Sequence, residues 1–268
     1  MSTLCLVTLP NSTEERIEVD PRENARECLE KVCRDLGTLE TDYFGLQYVS
    51  TRGQHLWLNL RNPIGQQMQG PGPHRLRLRV KFYVQPHFLQ QESTREQVYL
   101  NVRQDLLEGR LHVQDPHLAA VIGALIAQAE LGDADNLSSD LTPSQYPSFL
   151  PQMDSSILEM LQAEHLKLAG LAPQTAKYNL IRDVVALVSY GVEHYEVKDA
   201  SNGQELYMGV GPEGLALYEQ GTWTCVKQIE YSAMHQATQH GKSLQLQILE
   251  ENGSMTTDYH YSMCDKTY

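Results

Sequence analysis

An α+β chain built from several lobes is what this sequence predicts, and three observations predict it. Hydrophobic periodicity starts near two, changes to helical spacing between residues 94 and 189, and returns to two from Tyr190. The 268 residues suit one large domain or two to three small ones. Charge divides along the chain as well: residues 1–84 carry 11 basic and 10 acidic side chains, residues 85–268 carry 10 and 24, and the net charge is −13. A nearly neutral first third on an acidic remainder points to modules with different tasks. The acidic balance argues against a nucleic-acid binder, because phosphate contacts need surplus Lys and Arg. Hydrophobic content of 41% excludes wholesale disorder. No apolar run reaches the roughly 18 residues that span a bilayer. The opening MSTLCLVTLPNSTEERIEV lacks a basic, apolar leader, so a cytosolic address is expected.

The first third reads as a small roll. Leu4–Leu9 and Glu15–Val19 are strand candidates around the turn residues Pro10, Asn11 and Ser12. Ala25, Cys28, Leu29, Val32, Cys33 and Leu36 then recur on one helical face. Asp20 is the expected cap, with Pro21 in the first turn and Glu23 three residues on, and Gly37 ends the helix. Strands are expected at Tyr43–Val49, Leu56–Leu60 and His74–Val84. Two strands, a helix and further strands is the order of a ubiquitin-like roll. In its last strand Leu76, Leu78, Val80 and Phe82 point one way, and Arg75, Arg77, Arg79 and Lys81 the other. That basic row reads either as a solvated face or as a site for an anionic partner.

The middle is helical. Thr94–Glu108 ends at Gly109, and Pro116–Leu131 ends at Gly132. A polar connection, Asp133 to Pro151, leads to a helix capped by Asp154 or Ser155 through Ile157, Leu158, Leu161 and Leu168. Pro173 starts another through Ile181, Val184, Val185 and Val188. From Tyr190 strands are expected at Val192–Val197, Glu205–Val210, Leu215–Tyr218, Thr224–Ile229 and Leu244–Leu249. Asn202-Gly203, Pro212-Glu213-Gly214, His240-Gly241 and Asn252-Gly253 supply turns. A sandwich or partly open barrel fits this spacing.

Motifs of chemistry are weak. Gly209 to Gly214 spells G-x-G-x-x-G, yet alternating Leu215-Ala216-Leu217-Tyr218 follows where a dinucleotide site needs a helix. Asp133-x-Asp135 could open a calcium loop, but Ser138 and Ser144 stand where Gly and Glu are required. Cys5, Cys28, Cys33, Cys225 and Cys264 are odd in number and scattered, with no C-x-x-C, so neither a disulfide framework nor a zinc site is expected. His235 and His240 read as solvated. No cofactor is predicted, and the chain is read as non-enzymatic. The other classes left open are a cytoskeletal linker and a hydrolase or oxidoreductase hidden in the last lobe.

The module order and several stretches resemble a FERM domain. Lys31 to Gly37 followed by Glu40 to Tyr48 is similar to the family's first-lobe signature. Arg79 to Val84 resembles its first junction. Tyr190-Gly191-Val192-Glu193 with Gly209 to Tyr218 resembles the opening of its third lobe. The resemblance implies a ubiquitin-like lobe at 1–85, a four-helix, acyl-CoA-binding-protein-like bundle at 86–189 and a PH/PTB-like β sandwich at 190–268. Leu56 to Met68, and Met234 with Ala237, Thr238, Gln239, Gly241 and Lys242, look more narrowly like the FERM–RING ubiquitin ligases. That implies a recognition module for cytoplasmic tails of membrane receptors of the lipoprotein-receptor type, peripheral at the plasma membrane, within a ligase that promotes receptor degradation. Myosin light chain or a cytoskeletal protein is an implied partner too. A RING needs eight paired Cys or His ligands, which this stretch does not supply. The family's long closing helix is not expected after the weakly alternating Ser254 to Met263.

Two sites follow from the resemblance and the pattern together. Arg75, Arg77, Arg79 and Lys81 are the expected contact with anionic phospholipid. Lys242, Ser243, Leu244, Gln245, Leu246, Gln247 and Ile248 are the expected edge strand to which a receptor-tail peptide adds, with 244, 246 and 248 facing the core. An ordinary sandwich strand is the competing reading of the same residues.

Overall fold

The computed structural model describes residues 2–51, 53, 55–68, 70, 72–134, 146, 148–151, 154–222, 224–249 and 256–263. Outside the described residues lie most of the expected 133–151 connection, the Asn252-Gly253 turn, Ser254, Met255 and the stretch 264–268 with Cys264. The chain divides into two compact units, residues 1–190 and 191–268.

The first unit opens with the expected roll. β1 (Thr3–Thr8) pairs antiparallel with β2 (Glu14–Val19) and parallel with β5 (His74–Val80). β3 (Phe44–Val49) lies between β5 and β4 (His55–Trp57), which gives the order β2-β1-β5-β3-β4. Helix α1 (Arg26–Asp35) lays Cys28, Leu29, Val32 and Cys33 on this sheet, where Cys5, Val7, Leu46 and Leu78 meet them. The cysteines here act as small apolar side chains. The helix start differs from expectation. Asp20 accepts from the Arg22 backbone N–H in a turn five residues upstream, and α1 begins after Ala25 without a side-chain cap. The amides of Ala25 and Arg26 are instead satisfied by the carbonyls of Asn62 and Leu60. Gly37, at φ +66°, ends the helix as predicted. Short α2 (Ile64–Gln67) buries Ile64.

The second half of this unit is a bundle of α3 (Glu92–Leu107), α4 (Pro116–Leu131), α5 (Ser155–Leu166) and α6 (Pro173–Val184). Helix α4 is buried nearly all round, from Ala119 to Gln128, so it forms the bundle's centre. Asp154 caps α5, its carboxylate accepting from the Ile157 N–H at 2.8 Å. Helix α6 stops four residues short of Val188, which is left 75% exposed.

Helix α3 is buried on two faces. Val98, Val102 and Leu106 form one, and Gln97, Asn101 and Asp105 form the other. The polar face meets the basic side of β5. Arg79, only 6% exposed, donates to Asp105 at 2.7 Å, and Arg110 donates to the same oxygen at 2.8 Å. The second carboxylate oxygen accepts from Asn101 at 2.8 Å and from the Tyr83 hydroxyl at 3.1 Å. Asn101 in turn accepts from the Val80 backbone N–H. Burial first, then the Asp105 charge, pushes the Tyr83 hydroxyl well above its ordinary value. Tyr83 also packs edge-on against Tyr190, 5.0 Å between centroids. The expected solvated basic face is therefore corrected: its centre is a buried ion-pair network that fastens the roll to the bundle.

The second unit is a seven-stranded antiparallel sheet. Its strands are β6 (Glu193–Asp199), β7 (Glu205–Val210), β8 (Gly214–Glu219), β9 (Cys225–Glu230), β10 (Met234–His240), β11 (Ser243–Leu249) and β12 (Thr256–Met263), in the order β10-β11-β12-β6-β7-β8-β9. Its core holds Val197, Leu206, Met208, Leu215, Leu217, Ile229, Leu246 and Tyr261. The G-x-G-x-x-G stretch is the β7–β8 hairpin, where the Gly211 N–H donates to the Gly214 carbonyl. Strands β10 and β12 were not predicted. Most of β10 is exposed, so its sequence carries no apolar alternation. In β12 the alternation rests on two tyrosines, Tyr259 and Tyr261, whose stacked rings share one face.

Two predictions follow. Asp105→Leu leaves Arg79 buried without its counter-charge, and should lower stability by about 3–5 kcal/mol in urea unfolding, whereas Arg79→Met with Asp105→Leu recovers most of the loss. The second concerns His165, fully buried on α5, whose Nε2 lies 2.9 Å from the Gly132 carbonyl and Nδ1 3.2 Å from the Tyr146 hydroxyl. Neutral imidazole satisfies both partners, with the proton on Nε2. Burial lowers its pKa, with the Gly132 carbonyl and Asp133 opposing. The unfolded chain then binds the proton more readily, so stability falls as pH drops below about 6.5, by at most about 1.4 kcal/mol per pH unit from this group. The urea midpoint should fall between pH 7.5 and 5.5, and fall less in His165→Gln.

Candidate functional site

The second unit offers backbone rather than catalytic chemistry. Among the described residues, no group of three or more His, Cys, Asp or Glu side chains is placed to hold a metal ion. The sheet has two edges, β9 and β10. They are consecutive in the chain, joined only by the helical turn Tyr231–Ala233. Four residue steps reach at most about 14 Å, so the sheet must curl until its two edges nearly meet at this corner. The Tyr231 hydroxyl anchors the corner by donating to the Gly211 carbonyl at 2.8 Å, and its amide donates to the Glu213 carbonyl.

Strand β10 pairs only with β11 among the described strands, in the register His240↔Ser243 to Met234↔Ile248, with a bulge between Met234 and Gln236. On its other side no described strand pairs with its N–H and C=O groups, which form the template for an added strand. His235, Gln236, Ala237, Gln239 and His240 are exposed, while Met234 leans on the core. The bulge adds local twist, a common device at sheet edges.

The predicted peptide-binding strand is placed elsewhere. Residues Ser243 to Ile248 lie on β11, which is interior: β10 takes one side of its backbone, and β12 takes the other from Ser243↔Ser262 to Leu249↔Thr256. With both rows of hydrogen-bonding groups used, β11 has none left for a ligand strand. The facing was right, since Leu246 is 1% exposed and Leu244 and Ile248 pack on the core. Lys242 sits in the exposed β10–β11 turn. The edge was therefore displaced by one strand. The His240-Gly241 turn carried the signal, since a hairpin turn before Leu244–Leu249 requires a partner strand ending at His240.

The predicted lipid site is dispersed. Arg75 is exposed and pairs with Glu14 at 3.1 Å, Arg77 pairs with Glu108, and Arg79 is buried against Asp105. Lys81 lies over the Trp57 ring at 5.2 Å and the Phe82 ring at 5.7 Å. Gly45 makes that platform fit, because a Cβ there would come within 2.7 Å of the indole.

Comparison with known proteins gives two family matches, both lying wholly or chiefly in the first unit. Residues 7–70 match the FERM N-terminal domain and residues 84–195 the FERM central domain. One nearly full-length likeness is to the FERM and C-terminal domain complex of Drosophila Merlin, with TM-score 0.83 at 19% identity over 98% of this chain and 90% of that one. The chain has the FERM fold. The FERM-containing module of human myosin 7b, solved with the harmonin-a PDZ3 domain, has TM-score 0.71 at 12% identity, covering 100% of this chain and 58% of that one. Human tyrosine-protein phosphatase non-receptor type 4 is 34% identical over 221 residues, which is 81% of this chain and 23% of that protein. Mouse band 4.1-like protein 4A is 34% identical over 196 residues, 71% of this chain and 28% of that protein. The chain thus spans about a quarter of the curated relatives it matches. No helix among the described residues is long and apolar enough to cross a membrane.

The interior position of β11 is testable. Gln245→Pro and Gln247→Pro should each disrupt the second unit, because a ladder hydrogen bond is lost whichever neighbour the N–H faces. Amide exchange should show β10, β11 and β12 deprotected together while α3 and α4 keep their protection.

Proposed function

We propose that this FERM module recognises extended peptide segments from the cytoplasmic tails of membrane receptors by adding them to the open edge of β10. The observation that carries this reading is the backbone of β10, paired on one side only among the described strands, beside exposed side chains that refine specificity without obstructing approach. FERM domains are membrane- and protein-binding modules, and the myosin 7b relative was solved with a protein partner. The lobes are taken as 1–85, 86–189 and 190–268. The chain is read as cytoplasmic and peripheral at the plasma membrane, held there by its receptor partner. The β5 cations do not supply the anchor, because Arg77 and Arg79 are spent on carboxylates of the bundle.

Within that reading we favour receptors of the lipoprotein-receptor type and a role as the substrate-recognition part of a RING-type ubiquitin ligase. The support is the Leu56 to Met68 stretch, together with Met234, Ala237, Thr238 and Gln239, which fall on β10 itself. A cytoskeleton–membrane linker is the second reading, favoured by the band 4.1-like relative. Reconstituted ubiquitin transfer to a receptor tail by the intact protein separates them: transfer supports the ligase, and tail binding without transfer supports the linker.

In an antiparallel edge strand, adjacent residues alternate between an N–H that faces the neighbouring strand and one that faces outward. Of Ala237→Pro and Thr238→Pro, one should therefore unfold the second unit and the other should leave it folded. The folded variant should lose titration of an Asn-Pro-x-Tyr receptor-tail peptide by tenfold or more. Equal binding by that variant would place recognition away from β10.

A further inference from the structure

A cavity of about 370 Å³ opens on the first lobe, lined by Arg26, Leu29, Tyr43, Phe44, Lys81 and Phe82, among others. It lies between the start of α1 and the end of β5, and all its lining residues belong to the first unit. We propose that it docks a short acidic peptide carrying one bulky apolar side chain.

Its floor is apolar. Leu29 and Phe44 are buried there, and Leu60 is half-buried beside them. Phe82 stands 58% exposed at the rim, a large aromatic surface left to water at the mouth of a concavity. Its volume falls at the lower end of the range for small-ligand clefts, about 300–1000 Å³, and suits one side chain with the backbone that bears it.

The rim carries the charge argument. Arg26 and Lys81 face the cavity together with Asp42. The Arg26–Asp42 pair is open at 3.7 Å, and Asp42 is 91% exposed, so an arriving carboxylate can compete for Arg26 with little lost. Lys81 is held across the Trp57 and Phe82 rings, which presets its ammonium group and lowers the entropy cost of ordering it in a complex. One surplus positive charge suits a peptide with one or two carboxylates. Membrane recognition draws on clusters of about four to eight Lys or Arg, which this rim lacks. The acidic remainder of the chain repels the same peptide elsewhere, which adds selectivity for this spot.

The test uses the whole chain and a fluorescent pentapeptide with central phenylalanine flanked on each side by two acidic residues. Anisotropy should report saturable, salt-sensitive binding, and amide shifts should centre on Arg26, Tyr43, Lys81 and Phe82. Lys81→Glu and Arg26→Glu change exposed or half-exposed side chains. Each should weaken binding about tenfold with the unfolding midpoint unchanged. Phe82→Ser should do the same by removing the aromatic rim. A peptide with central alanine, or with lysine flanks, should not bind. Binding that survives both charge reversals overturns the proposal, as do shifts elsewhere, among them on β10. Shifts of these amides only with vesicles containing phosphatidylinositol bisphosphate overturn it in favour of a lipid. Shifts that grow with protein concentration alone overturn it in favour of a second copy of the chain.

Discussion

One carboxylate holds the first unit together. Asp105 accepts hydrogen bonds from Arg79, Arg110, Asn101 and Tyr83, and three of those donors come from outside its own helix. Without it, β5 would present a guanidinium to the interior of a lobe junction with no counter-charge, a cost several times that of an ordinary lost hydrogen bond. The roll could then meet the bundle only through apolar contact, which sets distance but not register. With it, the end of β5 is fixed on α3. The positions of Lys81, Phe82 and Tyr83 follow from that, and the first-lobe cavity follows from theirs.

Those same residues show where sequence reading succeeds and where it stops. The strand expected to reach Val84 ends at Val80, and Phe82, expected in its apolar row, lies beyond it and is 58% exposed. Up to Val80 the alternation of Leu76, Leu78 and Val80 with Arg75, Arg77 and Arg79 gave the strand and its two faces. It could not say that the charged face would be covered, because the covering partner is a polar stripe 26 residues away on α3. Gln97, Asn101 and Asp105 look like an exposed helix side when read alone. Each side of the junction is polar, and only their meeting is buried. The apolar stripe on α1 had no such ambiguity, since nothing but burial explains it.

The sheet of the second unit gives a parallel lesson. Strands β6 to β9 and β11 were legible. Strands β10 and β12 were not, for opposite reasons: β10 is an edge with water on most of its surface, and β12 hides its core face behind tyrosines. Missing them made β11 look like an edge. An edge strand used for recognition is expected to be the hardest to read, since the exposure that opens it to a ligand removes the hydrophobic signal of a strand.

Strand β12 has a further consequence, which concerns the order in which the protein is made. It sits between β11 and β6, joined to β6 through Tyr261↔Asp199, Ser262↔Lys198 and Met263↔Val197. Strands β6 to β9 form one run of neighbours and β10 to β12 another, and this seam is where the two runs join. A chain emerging from the ribosome can finish its first unit early, but the seven-stranded sheet stays in two pieces until residue 263 is free to pair. Contacts spanning some sixty residues are slow to form, so β6 and β11 each wait with an unpaired side during synthesis. The last described strand thus closes the sheet late, since its two runs of neighbours join only once residues 256–263 have been translated.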